Sequence, residues 1–136
     1  MTTTQPMSFR PSAHFNARLT ALAKRTGRSK AFLLESLADE AERCRRYPGL
    51  AFRGPDERRR AWIVGTGMDV WEVIWATTDG VETAPVVTTS AARLAAAYHR
   101  EFPDEVDAFL DDMRRTPAQL ETDHPFAQHV VMRPAG

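Results

Sequence analysis

The stretch "FRPSAHFNARLTALAKRTGRSKAFLLESLADEAE", residues 9–42, decides the fold that we predict for the first third of the chain. Ser12 can cap a helix that stops at Gly27, since glycine readily adopts the positive φ that ends helices. Ser29 can cap a second helix that continues to about Arg46. Apolar side chains recur at helical spacing in both segments. The stretch therefore predicts two amphipathic helices joined by a glycine turn.

The segment "MSFR", residues 7–10, alternates apolar and polar side chains, which is typical of a short strand. So short a strand needs a partner, and two small helices bury little apolar surface. We therefore predict a homodimer in which two copies of this segment pair antiparallel into a ribbon above four helices. Met7 and Phe9 would face the helices, whereas Ser8 and Arg10 would face outward. The predicted dimer core is Met7, Phe9, Leu19, Leu22, Leu33, Leu34 and Leu37.

The 136-residue chain has a net charge of zero, but its charges are unevenly distributed. Residues 1–46 hold nine Lys/Arg against four Asp/Glu, a balance of +5, and residues 47–75 hold four of each. Residues 76–136 hold five against ten, a balance of −5. This asymmetry indicates different partners for the two ends. The basic end suits a polyanion, and the acidic end suits a basic protein or water.

A two-stranded ribbon fits the major groove of DNA, where arginine can bind guanine with two hydrogen bonds and serine can reach several bases. The start of the second helix offers free backbone N–H groups to a phosphate. The predicted DNA-binding residues are therefore Ser8, Arg10, Arg28, Ser29 and Lys30. The alternative is an ordinary amphipathic helical hairpin with solvated charges.

Residues 6–46 resemble the ribbon-helix-helix (MetJ/Arc/CopG) family of repressors and antitoxins. The resemblance is carried by the strand "MSFRPS", the helix "ARLTALAKRTG" and the segment "GRSKAFLLESLADEAE". Pro11 departs from the aliphatic residue that is usual there, which shortens the ribbon. The resemblance implies a dimeric DNA-binding protein.

The middle of the chain predicts a small α+β domain. Apolar runs at 50–53 and 61–64 flank the turn-prone "GPDE" and indicate a β-hairpin. Beyond "GTG", Asp69 can cap a helix, and Ser90 can cap the next. Pro103 suits the first turn of a last helix. The stretch 77–88 is loop-like, with a strand at most near Val86–Val87.

We predict a mainly α fold with short β elements. Its parts are a ribbon-helix-helix unit over 1–46, a hairpin-plus-helices domain over 47–115 and a partly extended tail over 116–136. Residues 47–115 resemble the small domain of uncharacterised function found in VapB-like antitoxins. "YPGLAFR", "GTGMDVWEVI" and "AARLAAAYHREFPDEVDAFLDD" carry that resemblance. It implies a cognate toxin, a small ribonuclease, as the protein partner of the acidic half.

Two features of the second half leave alternatives open. The basic "RRR", Arg58, Arg59 and Arg60, is either a second DNA contact on the hairpin or a solvated turn. The domain's three tryptophans indicate core or dimer-interface positions rather than ligand stacking. They are Trp62, Trp71 and Trp75.

No pattern of catalytic or metal-binding residues stands out, so we expect no enzyme, no metal and no cofactor. In "DHPFAQH" the two histidines lie five residues apart, unlike the spacing of a zinc helix, and "VGTG" lacks the lysine of a phosphate loop. The carboxylates of 104–112 suit a solvated helix face better than a magnesium site. Cys44 lies beside two arginines and is read as an inert, half-buried thiol rather than an activated one.

The two resemblances, together with the charge pattern, imply an antitoxin of a type II toxin–antitoxin system that is also a dimeric transcriptional repressor. One alternative is a stand-alone ribbon-helix-helix regulator whose second domain senses a ligand or oligomerises. Another is a helical adaptor with no role on DNA. The start, "MTTTQPMSFRPS", lacks the apolar segment of a signal peptide, and no run is long enough to span a bilayer, so we expect a cytoplasmic protein.

Overall fold

The computed structural model describes residues 3–79, 86–123 and 125. The chain divides into two compact units, Met1–Pro48 and Gly49–Gly136. The first unit holds α1 (Ala13–Thr26) and α2 (Lys30–Arg46). The second holds β1 (Leu50–Arg53), β2 (Arg60–Ile63), β3 (Met68–Asp69), α3 (Val70–Thr78), α4 (Thr89–Glu101), α5 (Pro103–Arg114) and α6 (Pro117–Asp123). The predicted class, mainly helical with short strands, is confirmed.

The helices of the N-terminal unit begin and end where local sequence predicted. The Ser12 hydroxyl accepts a hydrogen bond from the Phe15 backbone N–H at 3.2 Å, which caps α1. Gly27 has φ 68° and ends that helix in the left-handed region, where glycine has no Cβ penalty. Ser29 caps α2 through the Phe32 N–H at 3.1 Å. Both predicted helices are confirmed.

The second unit contains a three-stranded antiparallel sheet in the order β1–β2–β3. The predicted hairpin is confirmed, with Leu50 opposite Ile63 and Arg53 opposite Arg60. The third strand, β3, was not predicted, because two residues are too few to show an alternating pattern. β3 pairs with β2 through Trp62 opposite Asp69.

The Asp69 carboxylate is shared by two arginines that face each other across the hairpin. This carboxylate is 4% exposed and lies 2.6 Å from the Nε of both Arg53 and Arg60. The indole N–H of Trp71 donates to the same carboxylate at 3.2 Å. Two guanidinium groups at opposed positions would repel each other, so the shared carboxylate stabilises this register. Glu72 accepts the Asp69 backbone N–H at 3.3 Å, as expected for the predicted helix start.

Three helices, α3, α4 and α5, pack against one another and form the core of the second unit. Tyr98 is fully buried there, and its hydroxyl donates to Glu105 at 3.0 Å, so the polar atom that it buries has a partner. Val73 and Ala95 are fully buried beside it in the same core. Trp71 stacks on Phe109 with ring centroids 6.3 Å apart, in agreement with its predicted packing role. The side chains of Trp62 and Trp75 are half-buried.

Two expectations for this unit differ from the structure. The cap of α4 is Thr88 and not Ser90, because Thr88 has the extended backbone of a cap and accepts the Ala91 N–H at 3.2 Å. Ser90 lies in the first turn. The tail over 116–136, which was predicted to be partly extended, includes the short helix α6. Val86–Val87 has no strand, and residues 80–85 of the predicted loop lie outside the described residues.

Candidate nucleic-acid interface

The proposed base-reading residues lie in a segment that has no regular structure in the single chain. Residues 3–12 contain neither helix nor strand, and Ser8 and Arg10 are exposed. Met7 is 92% exposed and Phe9 is 53% exposed. A ribbon requires a second copy to supply its hydrogen bonds. The strand over 7–10 and its reading role therefore stay predictions.

The predicted dimer core is only partly covered within one unit. Leu19 and Leu33 are buried between the two helices, whereas Leu22 and Leu34 are half-buried. Leu37 is 43% exposed. Phe32 is also 43% exposed and was not among the predicted core residues, because it is one residue before Leu33 and five before Leu37 and so does not share their helix face. The unit thus leaves large apolar side chains in water.

The positive charge of this unit is concentrated toward its start. Residues 3–34 contain six cations and no acidic residue. The net charge of +5 over residues 1–46 does not show this separation, because it counts the acidic residues of α2 together with these cations. The four carboxylates of the unit all lie on α2 from Glu35 onward. Two of them pair locally, Asp39 with Arg43 at 2.9 Å and Glu42 with Arg46. The remainder of the unit therefore presents cations without nearby carboxylates in the sequence.

Two cations near the start of α2 contact uncharged side chains. The Lys30 ammonium donates to the Asn16 side-chain oxygen at 3.2 Å. The Arg28 guanidinium lies over the Phe32 ring, 5.3 Å from its centroid. Ser29 caps α2 between these two cations. The three residues predicted as phosphate contacts, Arg28, Ser29 and Lys30, therefore lie on one turn. Asn16 was not predicted as part of this site, because its contact joins residues 14 apart in sequence.

The "RRR" cluster on the hairpin makes contacts within its own unit. Arg58 lies 5.2 Å from the Phe109 ring centroid and 3.4 Å from Asp112. Arg59 donates to the Gly54 carbonyl at 2.8 Å. Arg60 belongs to the buried Asp69 cluster. Arg58, at 62% side-chain exposure, is the best placed of the three to reach an outside phosphate.

An open groove of about 530 Å³ lies between α5 and α6. Charged side chains line it, but its two arginines already have partners. Arg114 binds Asp79 at 2.6 and 2.9 Å, and Arg115 lies 3.3 Å from Asp112. The groove therefore does not favour a ligand-sensing role for this unit.

Several titratable side chains of the second unit have structural partners. His99 lies 2.7 Å from Asp107, and Glu105 accepts from Tyr98. Within the described residues, no three His, Cys, Asp or Glu side chains are arranged to hold a metal ion. The histidines of "DHPFAQH", 124 and 129, lie outside those residues.

Cys44 is half-buried on α2. Burial, and then the negative charge of Glu40, raise the pKa of its thiol. The thiol therefore stays protonated at neutral pH, which favours the inert alternative over the activated one.

Comparisons with protein-family models, with curated proteins and with solved structures each found no match to this chain. In the described part of the chain, no helix combines the length and the apolar character needed to cross a membrane. The functional interpretation therefore depends on the residues of the N-terminal unit and their chemistry.

Proposed function

We propose that this chain is a homodimeric transcriptional repressor that binds operator DNA through a ribbon-helix-helix unit over residues 1–46. The observation that carries the proposal is the combination, in one small unit, of uncovered apolar side chains and a cation-rich segment without carboxylates. The first feature favours a second copy as partner, and the second favours a polyanion. Because we propose operator DNA as the ligand, we also propose that the protein acts in the cytoplasm.

The uncovered apolar side chains support dimerisation. Met7, Phe9, Phe32 and Leu37 are each at least 43% exposed. Complete burial of such a side chain contributes about 1.5–3 kcal/mol, so covering these residues in both copies would stabilise a dimer substantially. Antiparallel pairing of residues 7–10 would cover Met7 and Phe9 and satisfy the backbone groups of the segment.

In such a dimer the outward side chains have a defined use. Ser8 and Arg10 of both copies would enter the major groove, where they read bases. Arg28, Ser29 and Lys30 would contact the flanking phosphates, which position the protein without reading sequence. Arg58 would add a further phosphate contact from the second unit.

The experiment that tests this proposal measures assembly and DNA binding together. Light scattering after gel filtration should give the mass of a dimer at micromolar concentration. Fluorescence anisotropy with the duplex upstream of the protein's own gene should show binding that weakens steeply as salt rises from about 50 to 200 mM. A monomer, or a protein whose affinity for that duplex equals its affinity for a shuffled one, would contradict a sequence-specific dimeric repressor.

We further propose that the second unit and the tail neutralise a ribonuclease-type toxin, which makes the protein an antitoxin. Residues 76–136 contain ten acidic and five basic residues, and this negative balance supports a basic protein partner. Asp104 and Asp111 on α5 are exposed and available to such a partner. Co-purification with the product of the adjacent gene, and loss of that product's ribonuclease activity on addition of this protein, would support the antitoxin role.

The same measurements separate the two alternatives. A stand-alone regulator would bind the operator, but it would neither co-purify with the neighbouring product nor inhibit it. A helical adaptor would show no salt-dependent operator binding at all.

A further inference from the structure

We infer that Asn16 is a positioning residue that holds the Lys30 ammonium ready for a DNA phosphate. The inference rests on the proposed function, because it concerns the same surface and the same ligand. It adds a residue of α1 to a contact that the sequence assigned to α2 alone.

The contact joins two residues whose backbones are fixed. Asn16 lies in α1, where its backbone N–H donates to the Ser12 carbonyl at 2.9 Å and its own carbonyl accepts from Thr20 at 2.8 Å. Lys30 is the first residue of α2, directly after the Ser29 cap. The 3.2 Å bond between the Lys30 Nζ and the Asn16 Oδ1 therefore links two rigid elements and restricts a long, flexible side chain.

The chemistry of the acceptor distinguishes this contact from the ion pairs of the same unit. Asp39 and Glu42 are carboxylates, and they neutralise the arginines that they contact. The Asn16 amide oxygen is uncharged, so the full positive charge of Lys30 remains. An ammonium group has three N–H donors, and one bond to Asn16 leaves two for the oxygens of a phosphate. Asn16 thus orders the cation without reducing its attraction for an anion.

Ordering a flexible side chain in advance removes part of the entropic cost of binding. We expect Asn16→Ala to weaken binding to DNA about threefold to tenfold in the dimer, since each copy contributes one such contact. The variant keeps Lys30, so the number of phosphates neutralised, and hence the salt slope, should change little. Lys30→Ala should both weaken binding and reduce the salt slope by about 1 per protomer.

The test is a double-mutant cycle in the full chain, with a random-sequence DNA duplex as the probe and fluorescence anisotropy over a salt series as the readout. Asn16→Ala is measured in the natural chain, in Lys30→Ala and in Lys24→Ala, where Lys24 is an exposed lysine of α1 that serves as the matched control. Asn16→Gln, which keeps an amide oxygen, tests rescue. Circular dichroism melts of each variant report whether the exposed substitution disturbs folding.

The inference predicts that Asn16→Ala weakens binding in the natural chain and in Lys24→Ala but has no further effect in Lys30→Ala. It also predicts that Asn16→Gln recovers part of the affinity. Equal losses in all three backgrounds, or no loss in any, would overturn the positioning role while leaving the DNA-binding proposal in place. If the natural chain binds neither this duplex nor the operator, the proposed function fails and this inference fails with it.

Discussion

Gly54 occupies a position in the hairpin turn that a side chain cannot enter. Its φ is 103°, and a Cβ there would lie 2.6 Å from the Arg58 carbonyl oxygen and 2.7 Å from the Arg60 Nη1. Both neighbours are constrained, because Arg60 is held by Asp69 and the carbonyl belongs to the backbone. The local geometry of one residue therefore permits the close turn that places two arginines around one carboxylate.

We predict that Gly54→Ala lowers the free energy of unfolding of the second unit by about 2 kcal/mol or more. The matched control is Gly65→Ala, where φ is 87° but no atom lies within 4 Å of the added Cβ. Gly65→Ala introduces the backbone strain of a positive φ but no steric clash. It should therefore lower the free energy of unfolding less than Gly54→Ala does. Urea unfolding followed by tryptophan fluorescence measures both variants. Equal destabilisation would show that the steric contacts of Gly54 do not matter.

Arg10 is the residue on which sequence-specific binding depends in our proposal. Arg10→Ala should weaken binding to the operator and relax base preference by about 1–3 kcal/mol at the affected position. Arg18→Ala, which removes an exposed cation of α1 outside the ribbon, is the control and should reduce affinity without changing base preference. Competition binding against a panel of operator variants measures the preference. A loss for Arg10→Ala that is the same on specific and random DNA would refute its reading role.

At the scale of the element, the end of α3 is joined to the end of α5 by one ion pair. The Arg114 guanidinium donates to both carboxylate oxygens of Asp79, at 2.6 and 2.9 Å. The hydrogen bonds from Arg114 lower the pKa of the Asp79 carboxyl below its ordinary value, an effect that partial burial opposes.

The lowered pKa gives this pair a defined pH dependence. A carboxyl whose pKa is lower in the folded state contributes stability above its ordinary pKa of 3.8, and that contribution is lost as the pH falls through the lowered folded value. We therefore expect Asp79→Asn to destabilise the protein modestly at pH 7, and the difference from the natural chain to shrink as the pH falls below 3.8. Thermal melts of both proteins between pH 7 and acidic pH measure this difference in stability. A difference that does not depend on pH would mean that the substitution acts through packing rather than charge.

At the scale of the whole molecule, the two units have different relations to their surroundings. The second unit buries a continuous core around Tyr98 and Val73. Among the described residues of the first unit, the only buried ones are Leu19 and Leu33, while Met7, Phe9 and Phe32 are exposed. A core this small is marginal for an independent unit, so the first unit is the part whose stability we expect to depend on association.

This difference can be tested with two substitutions at equally exposed apolar side chains. Phe9 is 53% exposed in the first unit, and Val64 is 55% exposed in the second. We predict that Phe9→Ser shifts the protein toward monomer and weakens DNA binding at least tenfold, since binding requires both copies. Val64→Ser should leave mass and affinity unchanged. Sedimentation over a concentration series measures the shift, and a dimer of undiminished stability in Phe9→Ser would exclude the ribbon as the interface.

Elements whose signals are local could be predicted from the sequence. Both N-terminal helices, their serine caps and the glycine between them follow from interactions within four residues of the chain, and the hairpin follows from two apolar runs around a turn. The prediction was wrong where two residues close in sequence could both act as a cap. Thr88, and not Ser90, caps α4. The Asn16–Lys30 contact could not be predicted from the sequence, because it depends on how α1 and α2 pack against each other.

The sequence by itself determined the helical class, the helix limits of the first unit and the separation of basic from acidic halves, since propensity, capping and charge are properties of the chain. Tertiary structure alone decided that β3 joins the sheet and that Asp69 binds both Arg53 and Arg60. It also decided which apolar residues of the first unit remain exposed. The physical reason is that burial and ion pairing depend on residues distant in sequence, whose approach is set by the packing of whole elements.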